Sequence, residues 1–98
     1  MNRAEAISTL SQHADVIRDM GATALYLYGS TAREEAHAAS DLDLFIDYDP
    51  ASRFNAFDLI GIKQLLEEQL HTTVDLTTRD GLHPRLRPRI EQSAVRIF

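Results

Sequence analysis

The stretch from residue 29 to residue 43, GSTAREEAHAASDLD, constrains the fold of this 98-residue chain more than any other. A short apolar run, ALYLY, ends at the pair Gly29 and Ser30. Ten residues after this pair, Asp41 and Asp43 stand one residue apart at the start of a second, alternating run. Each run predicts a strand. Because one strand ends at the glycine and the other begins at the aspartates, the two ends can meet at one site only if the strands are antiparallel.

Both ends of this stretch contain residues suited to phosphate or metal chemistry. A strand that ends at a Gly-Ser turn presents backbone N–H groups that favour an anion, and Gly29 has no side chain to keep a phosphate away. Alternate residues of a strand project from the same face, so the carboxylates of Asp41 and Asp43 can share Mg²⁺ ions. The stretch therefore predicts a site where a phosphate compound meets a hard cation.

The remaining segments predict an α+β fold with a small mixed sheet, whose first two strands are antiparallel, and with helices packed on one face. Helices are predicted where apolar residues or helix formers have helical spacing, over 3–20, from 30 to about 37 and over 55–70. Strands are predicted where apolar and polar residues alternate, over 23–28, 41–48 and 72–77. A short basic helix from Pro84 or Pro88 and an edge strand over 94–98 complete the prediction.

The strand over 41–48 separates two kinds of side chain. One face has Leu42, Leu44, Ile46 and Tyr48, and the other has Asp41, Asp43, Phe45 and Asp47. This alternation is typical of a sheet that helices cover on its apolar side and leave open on its acidic side. Tyr26 and Tyr28 of the preceding strand are expected in the core or in the lining of the site.

Asp75 repeats the outward aspartate in the strand over 72–77. If the strands are neighbours, Asp41, Asp43 and Asp75 together can ligate two Mg²⁺ ions, which would orient a nucleoside triphosphate and activate a hydroxyl. Asp75 is then the natural general base for that hydroxyl. Taken singly, an outward aspartate is also compatible with a solvated strand.

Composition limits the classes of protein that fit this chain. Its apolar fraction of 44% and charged fraction of 26% are those of an ordinary globular protein, and its length predicts one domain over 1–98. It has no cysteine, so any metal must be held by oxygen ligands or histidine. The chain lacks a run apolar enough for a membrane span or a signal peptide, so we expect a cytoplasmic protein without membrane contact.

The net charge of -5 argues against direct binding to nucleic acid. The basic residues are nevertheless unevenly placed, since half of them lie in positions 79–98: Arg79, Arg85, Arg87, Arg89 and Arg96. The segment from 79 to 89 is either a solvated basic helix surface or a docking face for an acidic partner.

The two motif regions resemble those of the nucleotidyltransferases of the DNA polymerase beta type. The resemblance lies in Gly29 and Ser30, the ten-residue interval, the pair Asp41 and Asp43, and the later strand aspartate, Asp75. The sequences GSTAR, SDLDLFID and VDL resemble the small members of this superfamily, the minimal nucleotidyltransferase or MNT-domain proteins. The resemblance implies Mg²⁺-dependent transfer of a nucleoside monophosphate, usually AMP from ATP, to a hydroxyl with release of pyrophosphate.

By position, the resemblance assigns Asp41, Asp43 and Asp75 as catalytic metal ligands. It assigns Gly29 and Ser30 to nucleotide binding, and Arg33 matches an arginine often found in this motif, with an electrostatic or positioning role.

The resemblance also implies a partner. MNT-domain proteins similar to this chain are commonly paired with a helical HEPN-domain protein, an RNA-cutting toxin, which they neutralise by complex formation or by adding AMP to a tyrosine. Members with larger substrates have an additional helical domain for the acceptor, so here the acceptor is expected on another polypeptide. The chain is therefore expected to be an antitoxin. Two alternatives remain, namely a binding antitoxin that blocks its partner without catalysis, and a homodimeric nucleotidyltransferase with a small-molecule acceptor.

Overall fold

The computed structural model of the chain describes residues 1–35 and 41–98. Within these ranges the four strands of one sheet are β1 (Ala22–Tyr28), β2 (Leu42–Tyr48), β3 (Val74–Thr78) and β4 (Val95–Arg96), in the order β3-β2-β1-β4. Strand β1 is antiparallel to β2 and to β4, while β2 and β3 are parallel. The predicted mixed sheet, its antiparallel first pair and its C-terminal edge strand are confirmed.

The helices lie before, between and after the strands. They are α1 (Arg3–Gln12), α2 (Ala14–Asp19), α3 (Gly29–Ala32), α4 (Ala56–Leu70) and α5 (Arg87–Ser93), with a 3-10 turn over Arg79–Gly81. None of the helices within the described ranges is long and apolar enough to cross a bilayer.

The prediction of one uninterrupted helix over 3–20 is wrong, because the chain breaks at His13 between α1 and α2. The backbone N–H of His13 donates to the carbonyl of Leu10 at 3.1 Å, three residues back. The carbonyl of Thr9, which an α-helix would pair with that N–H, instead has Nδ1 of the His13 ring at 2.9 Å. The side chain therefore competes for the helical acceptor, and a new helix starts at the next residue.

The helix predicted from residue 30 to about 37 is also shorter than expected. Helix α3 has four residues, and Glu34 follows it in the left-handed region with φ of 61°. The part of the prediction that falls on 36 and 37 lies outside the described residues.

Helix α4 matches its prediction closely. Its start is fixed by Asn55, whose side chain accepts from the N–H of Phe57 at 2.9 Å, while Asp58 accepts from the N–H of Asn55 at 2.9 Å. Its end is marked by His71 in the left-handed region, with φ of 52°.

The hydrophobic core lies between one face of the sheet and helices α1, α2 and α4. Its fully buried members from the sheet include Leu25, Leu27, Leu42, Leu44 and Ile46, and those from the helices include Leu10, Ile17, Ile62 and Leu66. This core orients the opposite, acidic face of the sheet away from α1, α2 and α4.

The acidic face is not as open as its alternation predicts, because Phe45 on that face has no exposed surface. Tyr26 stacks on Phe45 with ring centroids 4.7 Å apart, and the guanidinium of Arg79 lies 5.1 Å from the Phe45 centroid. Aromatic and cation contacts therefore cover the centre of the face. The carboxylates lie at the edge of this covered patch.

Candidate active site

Strand pairing places two of the predicted carboxylates side by side. Asp43 of β2 is the register partner of Asp75 of β3, and on its other side the register partner of Asp43 is Tyr28 of β1. Directly opposed residues project from the same face of a sheet, so the three side chains form a row across it. The row lies where β1 ends and the chain turns into α3.

Negative charge accumulates in this row. Partial burial raises the pKa of Asp43, the nearby charges of Asp75 and Asp41 raise it further, and the charge of Arg33 lowers it. The carboxylates are therefore close enough to repel one another, and the cation beside them compensates only in part. A cluster of this kind fits a hard cation such as Mg²⁺, because oxygen ligands with uncompensated charge bind it well.

Gly29 lies directly against this carboxylate. Its φ of 73° is in the region that favours glycine, and a Cβ at this position would overlap Oδ2 of Asp43 and lie 3.1 Å from its Cγ. Only glycine therefore allows the α3 turn to approach Asp43 this closely. The juxtaposition of the Gly-Ser turn with an aspartate, expected from antiparallel strands, is what the structure contains. Ser30 follows within α3 and is half-buried.

The third predicted carboxylate lies just outside the strands. Asp41 is exposed and lies at the border of the undescribed residues, just before β2. Among residues 1–35 and 41–98, no three acidic or histidine side chains are close enough together to hold one metal ion. The structure thus brings Asp43 and Asp75 together, whereas the set of three ligands stays a prediction.

Two clefts adjoin the row, and their charges are opposite. The first, which we call the carboxylate cleft, has a volume of about 460 Å³ and is lined by Asp43, Asp75, Thr77 and His83 among others. The second, which we call the arginine cleft, has a volume of about 470 Å³. Its lining includes Gly29, Arg33, Arg89, Gln92 and Ser93.

The two clefts share one apolar wall made by Tyr28, Leu86 and Ile90. Burial, followed by the charges of Asp43 and Asp75, raises the pKa of Tyr28 to about 12. The phenol therefore stays protonated near neutral pH and can donate a hydrogen bond into the site. The expectation that Tyr28 lines the site is confirmed.

Two arginines of the basic segment over 79–89 make contacts within the chain. Arg79 binds Asp47 of β2 and Glu91 of α5, and Nη2 of Arg87 donates to the carbonyl of Asp80 at 3.1 Å. Arg79 and Arg87 therefore make contacts within the fold, and a docking face on this segment stays a prediction.

Arg89 is a cleft residue that sequence reasoning did not identify as part of the site. Its only signal was its place in a basic helix, which does not say which way a side chain points.

Comparison with known proteins gives a consistent family. Residues 10–97 match the sequence profile described as "Nucleotidyltransferase domain". A Methanocaldococcus jannaschii protein, named as an inferred protein adenylyltransferase, is 35% identical over 72 residues, which are 74% of this chain and 75% of that protein.

Solved structures give the same result for the fold. An inferred minimal nucleotidyltransferase superposes with a TM-score of 0.82 at 29% identity, covering 97% of this chain and 95% of that one. A chain from the complex of a tri-AMPylated Shewanella oneidensis HEPN toxin with its MNT antitoxin superposes with a TM-score of 0.64 at 18% identity. That match covers 90% of this chain and 68% of the other, and it concerns the fold alone.

Proposed function

The chain belongs to the nucleotidyltransferase family, whose profile covers residues 10–97, and from this membership we propose that it transfers AMP from ATP to a hydroxyl of a protein. The observation that carries the proposal is the register of Asp43 with Asp75, directly beside Gly29. This arrangement joins a carboxylate pair to a turn that a phosphate can approach. The naming of the Methanocaldococcus jannaschii relative as an inferred protein adenylyltransferase supports AMP as the transferred group.

In this proposal the site holds two Mg²⁺ ions, and their ligands are Asp41, Asp43 and Asp75. The raised pKa of Asp43 is consistent with the assignment, because partial burial and then the charges of Asp75 and Asp41 disfavour its negative charge, and a bound cation would compensate that charge. When bound, Mg²⁺ neutralises phosphate charge and orients the triphosphate for in-line attack.

The residues of the chain have separate roles in the transfer. Gly29 and Ser30 bind the triphosphate through backbone N–H groups and the serine hydroxyl, and Arg33 adds a positive charge at the end of α3. Asp75, which is exposed, accepts the proton of the incoming hydroxyl. The hydroxyl oxygen forms a bond to the α-phosphorus, the bond to the bridging oxygen breaks, and pyrophosphate leaves.

We further propose that the acceptor is a tyrosine of a HEPN-type toxin and that the chain acts as its antitoxin. The superposition on the complex of a tri-AMPylated HEPN toxin with an MNT antitoxin supports this partner. The negative net charge of the chain supports a protein rather than a nucleic-acid partner.

The experiment combines the chain with a HEPN-domain protein encoded beside it, labelled ATP and Mg²⁺. We expect label on a partner tyrosine, located by mass spectrometry, and no label with Asp43→Asn or Asp75→Asn. Asp19→Asn, at the exposed end of α2, is the matched control and should label normally. Label that persists in both site variants would overturn the mechanism.

A binding antitoxin without catalysis is the second candidate, favoured by the fact that the described residues do not gather three carboxylates at one point. It predicts that Asp43→Asn still neutralises the toxin in a growth assay. Label on a compound of low mass would instead identify the third candidate, a small-molecule nucleotidyltransferase.

A further inference from the structure

The arginine cleft lies beside the proposed reaction centre and has the opposite charge. Gly29 connects the two, since it lines the arginine cleft while its backbone lies against the carboxylate of Asp43. Tyr28 is in the lining of both clefts. A ligand whose reacting atom is at Asp43 can therefore extend past Gly29 into the arginine cleft without leaving the surface.

The positive charge of this cleft comes from two different elements. Arg33 is at the end of α3, where its Nε donates to Glu35 at 3.0 Å, so a carboxylate already balances part of its charge. Arg89 comes from α5, and no carboxylate within residues 1–35 and 41–98 lies within ion-pairing distance of it. Among the basic residues over 79–89, it is the one that combines a place in the cleft with an available charge.

We propose that Arg89 of α5 is a further phosphate-binding residue of the triphosphate site at Gly29 and Arg33, and that it binds the β- and γ-phosphates from the opposite wall of the arginine cleft. The inference rests on the proposed function and adds a residue from α5 to the nucleotide site. The positive charge of the Mg²⁺ ions is divided between the triphosphate and the carboxylates that hold the ions, and this chain has a net charge of -5. A guanidinium provides paired N–H donors that match phosphate oxygens.

The assignment also fixes the orientation of the triphosphate in the site. The α-phosphate is at Asp43 and Asp75, and the pyrophosphate formed in the reaction remains in the arginine cleft until it is released. The acceptor hydroxyl then enters from the side of the carboxylate cleft, where Asp75 is exposed.

The test compares Arg89→Ala with Arg85→Ala in the complete chain. Arg85 is also an exposed arginine of the same segment, but it lines neither cleft. Calorimetry with Mg²⁺ measures the affinities for ATP, AMP and inorganic pyrophosphate. We expect Arg89→Ala to bind ATP and pyrophosphate about tenfold to a hundredfold more weakly, the effect of losing one charge-assisted contact, with unchanged affinity for AMP. Arg85→Ala should match the wild type for all three.

Several results would overturn the inference. Equal losses of affinity for AMP and ATP in Arg89→Ala would place the nucleoside in this cleft. Unchanged ATP affinity in Arg89→Ala would show that Arg89 does not bind the phosphates. A wild-type chain that binds neither ATP nor pyrophosphate would likewise contradict the inference. Arg89→Gln removes the charge but keeps a long polar side chain, and circular dichroism shows whether each variant is folded. Together they distinguish the loss of a phosphate contact from the loss of the fold. If ATP binding depends on Arg89 while no acceptor is labelled, this inference stands and the proposed function fails.

Discussion

Arg79 donates two parallel hydrogen bonds to Asp47, from Nε to Oδ1 at 2.8 Å and from Nη2 to Oδ2 at 2.9 Å. Its remaining nitrogen, Nη1, binds Glu91 of α5. One side chain thus connects the turn after β3 to β2 and to α5. No residue of α5 is fully buried, and this connection is one of the contacts that hold the helix beside the two clefts.

Replacing Arg79 by lysine should therefore loosen α5. Lysine keeps the charge but has no planar fork, so it cannot bind Asp47 and Glu91 at once. We expect the free energy of unfolding, measured in urea, to fall by about 1–3 kcal/mol. Amide exchange over 87–93 should become faster. Arg85→Lys is the control and should leave both quantities unchanged, and an Arg79→Lys variant as stable as the wild type would refute the role given to this residue.

Replacing two different glycines by alanine should change the stability of the protein in opposite directions. Gly29→Ala forces a Cβ onto the Asp43 carboxylate and onto a backbone with positive φ, so it should destabilise the protein by about 1–3 kcal/mol and abolish transfer. Gly61→Ala lies inside α4, where the new Cβ would meet only Cε of Met20 at 3.4 Å. It should stabilise the protein by up to about 1 kcal/mol and leave transfer unchanged. Thermal unfolding and labelling measure both variants, and equal effects would contradict this account of Gly29.

Asp43→Asn should separate stability from activity. Removing one of the mutually repelling carboxylates lowers the electrostatic repulsion in the folded state. In the absence of divalent cations we therefore expect the free energy of unfolding to stay constant or rise by roughly 0.5 kcal/mol. Transfer should be lost. Denaturant unfolding at low ionic strength is the measurement, and Asp19→Asn provides the charge-matched comparison. A large loss of stability in Asp43→Asn would mean that the carboxylate has a structural role instead.

Mg²⁺ should stabilise the wild-type chain. A ligand present at about 100 times its Kd adds about 2.7 kcal/mol to the folded state, which should appear as a higher Tm. The increase should disappear on addition of a chelator and be absent in Asp43→Asn. A Tm that Mg²⁺ leaves unchanged in the wild type would argue against the metal assignment without involving any measurement of transfer.

The partner surface gives a further prediction. Since Arg79 and Arg87 bind within the chain, Arg85 is the exposed arginine of the segment over 79–89 that is left for docking outside the clefts. If the proposed HEPN-domain partner docks here through an acidic surface, Arg85→Glu should weaken the complex by about tenfold, because it places like charges against each other. Arg53→Glu, an equal charge change just before α4, should have no effect in the same affinity measurement. Equal affinities for the two variants would exclude docking through Arg85.

Much of the fold follows from local pattern. The strands and α4 were predictable because alternation and helical spacing identify which side chains face the core, as at Leu44 and Ile62. The relation of Gly29 to Asp43 was predictable because strand ends that share a site restrict the topology.

Other features depend on contacts between distant residues. The burial of Phe45 requires Tyr26 and Arg79 to cover it, and the break at His13 comes from a ring that competes for one carbonyl. The place of Arg89 in the arginine cleft depends on how α5 is held to β2 by Arg79. Composition and periodicity do not encode such contacts, so the site could be predicted at its strands but not at its outer helix.

Strand β4 determines whether β1 is an edge strand of the sheet, since it is the neighbour of β1 on the side away from β2. Leu25 of β1 pairs with the backbone of Ile97 and Phe98, at 2.8 and 3.3 Å, and these residues follow every residue of the proposed site. During synthesis the apolar strand β1 therefore has an unpaired edge until residues 95–98 have emerged, and such an edge recruits strands from other chains. Residues without any part in chemistry thus cover this edge once they have been synthesised, and the interval before that is when β1 can pair with another chain.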